Sequence, residues 1–286
     1  MTASPTLDLA LRLNRVRANS PLILNITNHV SMNVMANVLL AIGASPAMAH
    51  AKQEVAEFAA MAGALTINIG TLSPRWVDAM EIAARAALGA QTPWVLDPVA
   101  VGATSYRQEV GAQLLRLSPS VIRGNASEIL SLAKLSDQAS SLHQQHSRGH
   151  GVDSTTTSHS AQEAAILLAR YSGAVVAVTG ESDLVTDGQK IARIDGGHAL
   201  MPKVTALGCS LTGVVGAWIA QADTESTDDI FLATTAALAS YAVAGELAGR
   251  IAQGPGSFSV AFLDTLYALD SNTLTQHARL EITDAR

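Results

Sequence analysis

A chain of 286 residues, 48% hydrophobic and 15% charged, can bury a large core and hide further apolar surface in an oligomer. Its net charge of −6 argues against a nucleic-acid binder, and its single cysteine, Cys209, excludes an internal disulfide. Residues 1–21 read as a short leader and an amphipathic helix interrupted by Arg12, Arg15 and Arg17, without a signal-peptide core, so a cytoplasmic protein with no membrane partner is expected.

Short apolar runs then recur, each followed by a helical pattern. They are "PLILNITN" (21–28), "ALTINIG" (64–70), "PWVLDP" (93–98), "SVIRGN" (120–125) and "AVVAVTGESD" (174–183). Runs without alternation fit strands covered on both faces. Between them, Ser31 is expected to cap a helix that stops at Gly43. Ser73 and Pro74 open another that stops at Gly89. "DLVTDGQKIARID" reads as a hairpin around Asp187-Gly188 at a sheet edge. The long run "FLATTAALASYAVAGELAG" contains Glu246 and reads as a buried helix rather than a span. Repeated strand-then-helix order predicts an α/β fold: a mostly parallel central sheet with helices on both faces, in one domain over residues 1–286.

Residues 136–160 differ in composition. They are polar and hold His143, His146, His150 and His159. A solvated connection is the plainer reading; a metal site is the alternative, without a recognised ligand spacing.

Ligands of open α/β sheets bind beyond the carboxyl ends of the strands. Those ends carry Asn25, Thr27 and Asn28; Asn68 and Gly70; Asp97; Arg123, Asn125 and Glu128; and Thr179, Gly180 and Glu181. An arginine, several amides and three acids at one sheet end suit a phosphate-bearing ligand held with a divalent cation. Each residue also has a plain structural reading: Asp97-Pro98 as a turn, Asn125 and Glu128 as a capping box.

"TALGCSLTGVVGAWIA" then places Cys209 at a helix start whose free amides, from about Gly208 to Leu211, suit an anion. No Walker A loop and no G-x-G-x-x-G after the first strand is present, so the phosphate site is of another kind. The helix terminus is expected to lower the Cys209 pKa. A packed core thiol and a cysteine hydrolase are the alternatives, the latter without a paired histidine signature.

"NITNHVSMNVMANVLLAIGASPAMAHA", "INIGTLSPRWVDAM", "WVLDPVAVGAT", "IRGNASEI", "GVDS", "AVTGESDLVTDG" and "KVTALGCSLTGVVGA" together resemble the hydroxyethylthiazole kinases, a family of the ribokinase-like fold group. The resemblance runs in the family's order from about Pro21 to Gly256. It implies ATP- and Mg²⁺-dependent phosphorylation of the primary alcohol of 4-methyl-5-(2-hydroxyethyl)thiazole, feeding thiamine biosynthesis, by a homotrimer with sites between subunits. It further implies Met48, Asn25, Thr27 and Ala206 as substrate contacts and Arg123, Thr179, Gly208 and Asn125 as nucleotide-binding positions. Asp97 and Glu128 become the Mg²⁺ carboxylates and Cys209 the catalytic residue. Two departures stand out. The family commonly reads Val-Thr-Gly-Thr-Gly-Cys where this chain has Ala206 and Leu207, and Ala100 stands where glycine is expected. A hydroxymethylpyrimidine kinase of the same fold and a nucleotide-binding sensor without turnover are the alternative functions.

Overall fold

The computed structural model describes residues 7–139 and 154–285. Its centre is a nine-stranded sheet in the order β2-β1-β3-β4-β5-β6-β7-β8-β9. Strands β1 (Leu22–Ile26), β2 (Ser45–Met48), β3 (Ala64–Asn68), β4 (Trp94–Asp97), β5 (Val121–Asn125) and β6 (Val175–Thr179) pair in parallel. Strands β7 (Ser182–Thr186), β8 (Lys190–Asp195) and β9 (Arg279–Asp284) complete one side antiparallel. The mostly parallel sheet is therefore as its sequence predicts, with three local differences. The run 174–183 breaks after Thr179, because Gly180 turns the chain back into β7. The β7–β8 hairpin forms but is not the edge, since β9 pairs along the whole of β8. The opposite edge, β2, holds Pro46 and is too short and half-buried to read as a strand from its pattern.

Helices cover both faces, and successive strand residues divide between them as the pleat requires. Ile23, Ala64, Val95, Val121 and Val175 join the core under α1 (Leu9–Asn19), α2 (Met32–Ile42), α8 (Leu207–Ile219), α9 (Thr227–Ile251) and α10 (Pro255–Ala268). Leu24, Leu65, Leu96, Ile122 and Val176 join the other core, under α3 (Val55–Met61), α4 (Pro74–Gly89), α5 (Ser105–Leu115), α6 (Ala126–Ala139) and α7 (Ser154–Ser172). Helix α11 (Ser271–His277) packs on α1 and α9. Helix α8 lies unusually close to the strands. A Cβ on Gly216 would sit 3.0 Å from Thr66 and 3.3 Å from Ile23, so the small residue brings the helix down onto β1 and β3. Helix α9 has the length and hydropathy of a span, but 89% of its apolar window is buried, as expected of a core helix.

The capping expectations divide. Ser73 accepts from the amide of Trp76 with Pro74 behind it, an arrangement worth about 1 kcal/mol. Gly89 ends α4 as its last residue, and Ala90 supplies the cap. Ser31 stands at the start of α2 without capping it. Its hydroxyl instead meets Thr27 Oγ1 at 2.7 Å and the Asn28 carbonyl at 3.1 Å.

Candidate active site

The carboxyl ends of β1, β3, β4, β5 and β6 meet the start of α8, and this is where the polar side chains gather. Asp97 closes β4 and is wholly buried. Its Oδ2 accepts from Asn68 Nδ2 at 2.7 Å and from Thr212 Oγ1 at 2.8 Å, while Oδ1 is buried with no hydrogen-bond partner. Burial raises its pKa to about 6; Arg123 opposes that rise and Glu128 adds to it. Arg123, on β5 and 7% exposed, donates from Nη2 to Thr179 Oγ1 at 2.6 Å and places Nη1 3.7 Å from Asp97 Oδ2. One guanidinium thus spans β4, β5 and β6.

Glu128 is in the first turn of α6 and both its oxygens take backbone amides. Oε2 accepts from Asn125 N at 2.8 Å and Oε1 from Ala100 N at 3.0 Å. Asn125 Oδ1 accepts in turn from Glu128 N at 3.0 Å, so the capping box is formed. The structural and functional readings of this pair are compatible, because each carboxylate oxygen keeps a second lone pair.

The chain enters α8 through Ala206, which adopts φ 65°, the left-handed region that glycine favours. Ser210 N bonds back to Ala206 O at 2.8 Å, and the preceding amides of Leu207, Gly208 and Cys209 have no place in the helical ladder. Tyr241 of α9 holds this turn from behind, donating to Leu207 O at 2.7 Å. Ala100 is also left-handed, at φ 54°. Both alanines that depart from the family pattern therefore occupy conformations in which glycine is less strained. Ala206→Gly is expected to raise stability slightly, by about 0.5 kcal/mol, since a left-handed alanine costs about 1–2 kcal/mol and glycine returns about 0.4–1 kcal/mol through the unfolded chain. Urea unfolding measures it; a clear loss of stability contradicts the assignment of strain.

Cys209 follows, partly buried. Asn28 Nδ2 donates to its Sγ at 3.3 Å and to Asn68 Oδ1 at 2.9 Å, linking the thiol through two amides to Asp97. The amide of Asn28 is oriented by its own backbone, as Oδ1 accepts from Val30 N at 3.1 Å and Ser31 N at 3.0 Å. The expected fall in the Cys209 pKa is not found. Burial raises it, the Asp97 carboxylate raises it further, and the Asn28 and Asn68 amides and Arg123 only partly offset them. Burial, with the neighbouring acid, outweighs the groups that favour the thiolate.

Two of the expected substrate contacts face inward. Asn25 is 2% exposed, donates to Ile23 O at 2.8 Å and Ala47 O at 3.2 Å, and accepts from Thr66 Oγ1 at 2.7 Å. Thr27 is 1% exposed and occupied by Ser31. Both side chains are thus held by hydrogen bonds within the strand ends. Met48 ends β2 in register with Asn25 and is half-buried, with Ala206 half-buried across the site. Trp76 is flanked by the rings of His29 and His50 at centroid distances of 4.6 and 4.7 Å.

A cleft of about 730 Å³ opens from Arg123, Thr179 and Gly208 towards Gly197, His198 and Met201. Asp183, on its wall, accepts from Gly180 N at 3.0 Å, and burial raises its pKa to about 6. Asn28 and Asn68 are visible in the sequence only as strand-end amides, and Thr212, Asp183 and Tyr241 carry no local signal at all. Spacing along β7, α8 and α9 does not reveal which side chain turns towards the sheet end. Of the histidines in the polar segment, His143, His146 and His150 lie outside the described residues. His159 is exposed on α7, 3.3 Å from Glu163. Among the described residues no group of three or more His, Cys, Asp or Glu side chains forms a metal cage.

This open α/β fold is one that small-molecule kinases share. At 14% identity and a TM-score of 0.62, the pyridoxal kinase from Staphylococcus aureus in complex with AMP-PCP and pyridoxal shares the fold over 93% of this chain and 99% of its own. Residues 13–272 match the hydroxyethylthiazole kinase family, and the chain belongs to it. It is 58% identical over 269 residues to a hydroxyethylthiazole kinase of Cereibacter sphaeroides, covering 94% of this chain and 97% of that one. A hydroxyethylthiazole kinase of Rhizobium johnstonii is 56% identical over 268 residues, covering 94% and 95% of the two chains. The structure of the hydroxyethylthiazole kinase from Pyrococcus horikoshii superposes with a TM-score of 0.84 at 36% identity, over 96% and 98% of the two chains.

Proposed function

We propose that this chain transfers the γ-phosphoryl group of ATP to the primary alcohol of 4-methyl-5-(2-hydroxyethyl)thiazole, supplying the thiazole phosphate for thiamine. The observation that carries the reading is the convergence, in a member of this family, of a buried carboxylate oxygen without a partner, an arginine and the free amides of a helix start.

The cleft beyond Arg123 takes the nucleotide, with Arg123, Thr179, Gly208 and Asn125 at its phosphate end. Asp97 and Glu128 suit Mg²⁺. The orphaned Asp97 Oδ1 and the mutual repulsion of the two acids are both relieved by a divalent cation, and two carboxylates suffice for an ion that keeps waters and phosphate oxygens as its other ligands. When bound, that ion offsets charge on the transferring phosphoryl group. The amides of Leu207, Gly208 and Cys209 face the same charge from the other side. Met48 and Ala206 contact the alcohol.

Cys209 is a thiol, not a thiolate, in the resting site, because its pKa is raised. It orients the acceptor hydroxyl, and once its own proton has passed to solvent the thiolate receives the hydroxyl's proton as the new O–P bond forms and the O–P bond to ADP breaks. A loose transition state demands little basicity from the attacking oxygen, so placement outweighs base strength.

The same reading makes the enzyme a cytoplasmic homotrimer with substrate sites between subunits. Val30, Leu40 and Met61, exposed by 59–61%, supply apolar surface for such contacts. Light scattering is expected to give three 29.6 kDa chains per particle; a monomer at assay concentration contradicts the assembly.

Substrate choice is tested with a panel of alcohols. ADP release is expected to depend on the thiazole alcohol and to be far slower with hydroxymethylpyrimidine. The reverse preference transfers the function to the pyrimidine kinases, and nucleotide binding with no turnover on any alcohol makes the chain a sensor.

A further inference from the structure

Arg107 stands outside the site described above, yet its guanidinium joins the two turns on which the site depends. It lies in the first turn of α5, where its own amide is held by the N-cap Thr104 at 3.3 Å. Nη1 donates to Ile69 O at 2.5 Å and to Val99 O at 2.9 Å, and Nη2 donates to Gly70 O at 2.7 Å. These are carbonyls of the chain leaving β3 and β4, beyond the reach of the sheet ladder. A flat cation with five fixed donors can collect three carbonyls from two turns at once; the point-like ammonium of lysine cannot reproduce that fork.

What those turns carry is specific. Asn68, immediately before Ile69, donates to Asp97 and accepts from Gly70 N at 2.8 Å and from Asn28, which reaches Cys209. Ala100, immediately after Val99, donates its amide to Glu128. Both carboxylates assigned to the metal and the amide relay to the thiol are thus oriented from backbone that one side chain ties together.

We infer that Arg107 is a positioning residue for phosphoryl transfer, setting the β3 and β4 turns at the spacing that aligns Asp97, Glu128 and Cys209. The inference rests on the kinase reading above. It makes no use of Arg107's charge at the reacting atoms, and no ligand contact is assigned to it.

The test uses the full chain with Arg107→Met and Arg107→Lys, assayed well below their melting temperatures. Both variants are expected to lose about tenfold or more in kcat while the KM values for ATP and the alcohol stay within about threefold, since misplacement of reacting groups acts on the transition state. An Arg107→Met, Asn68→Ala double variant is expected to lose less than the product of the two single losses, because both act through the same orientation of Asp97. Unchanged kcat in folded Arg107→Met, full activity in Arg107→Lys, or strictly multiplicative losses each overturn the inference. Hydrogen exchange provides a readout independent of the reaction. Amides of residues 68–71 and 98–103 are expected to exchange faster in Arg107→Met while β6 to β8 are unchanged; no change, or a uniform increase, overturns it. If the unsubstituted chain phosphorylates no alcohol, the kinase reading fails, and the exchange experiment still decides whether Arg107 orders these turns.

Discussion

Asp97→Asn is expected to cost about 10²–10³-fold in turnover and yet to make the ligand-free protein no less stable, and more stable at neutral pH. The loss follows from removing the carboxylate assigned to the metal, at a site where preorganised charge is worth about 3–4 kcal/mol of the barrier. The stability gain follows from burial. Asp97 has no exposure, one oxygen without a partner, and a pKa raised from 3.8 to about 6. The folded state therefore holds a proton more tightly than the unfolded chain. Between about pH 4 and 6 the native form binds the extra proton, so stability falls as pH rises through that window. The shift corresponds to a penalty on the order of 2–3 kcal/mol above it, which asparagine does not incur. Asp183 titrates in the same window for the same reason, so the variant is expected to keep part of the pH dependence rather than none. Thermal unfolding from pH 4 to 8 measures both effects. A variant clearly less stable than the parent at pH 8 contradicts the assignment of an incompletely compensated buried acid, and normal turnover removes Asp97 from the mechanism.

Cys209→Ala is expected to lower kcat by about 10²-fold and Cys209→Ser by about tenfold, at the low end of what general bases contribute, because the transition state draws little on the acceptor's proton. Both variants should fold. The position is partly buried beside the exposed Gly208, and a hydroxyl still accepts from Asn28. The distinguishing feature is where the loss falls: kcat drops, and KM for ATP does not. Steady-state kinetics with both substrates varied reads this directly. Unchanged turnover in Cys209→Ser removes the thiol from the reaction. A loss confined to the KM of the alcohol would make Cys209 a binding contact only.

These expectations bear on what the sequence can reveal by itself. The sheet was legible because parallel strands buried on both sides leave unbroken apolar runs such as "ALTIN" and "VVAVT", and the helices between them carry caps and breakers. Strands β2 and β9 were not. Ser45–Met48 is half-buried with a proline inside, and Arg279–Asp284 is polar and largely exposed, so neither has the signature of a core strand. At the site, Asp97, Arg123, Glu128, Thr179 and Cys209 are brought together because the parallel topology puts every strand's carboxyl end on one side. Asn25 and Thr27 are at strand ends too, but the pleat turns their side chains into hydrogen bonds with Thr66 and Ser31. Position along a strand does not give the direction of a side chain when both faces are covered. The Cys209 pKa is a further case. A helix start favours the thiolate, but burial opposes it first and the carboxylate of residue 97 second, and only the fold sets both.

Ala206 and Ala100 were conspicuous as departures from a glycine pattern, and their left-handed backbones supply the physical content of that pattern. The turn into α8 needs a positive φ for its free amides to point together. Alanine adopts that conformation at a cost in strain, so the left-handed turn is kept without the glycine.

The account depends most directly on the transfer itself. With purified chain, ATP, Mg²⁺ and 4-methyl-5-(2-hydroxyethyl)thiazole, mass spectrometry is expected to find the thiazole phosphate accumulating one for one with ADP. ADP formed without thiazole phosphate, or no ADP at all, contradicts it.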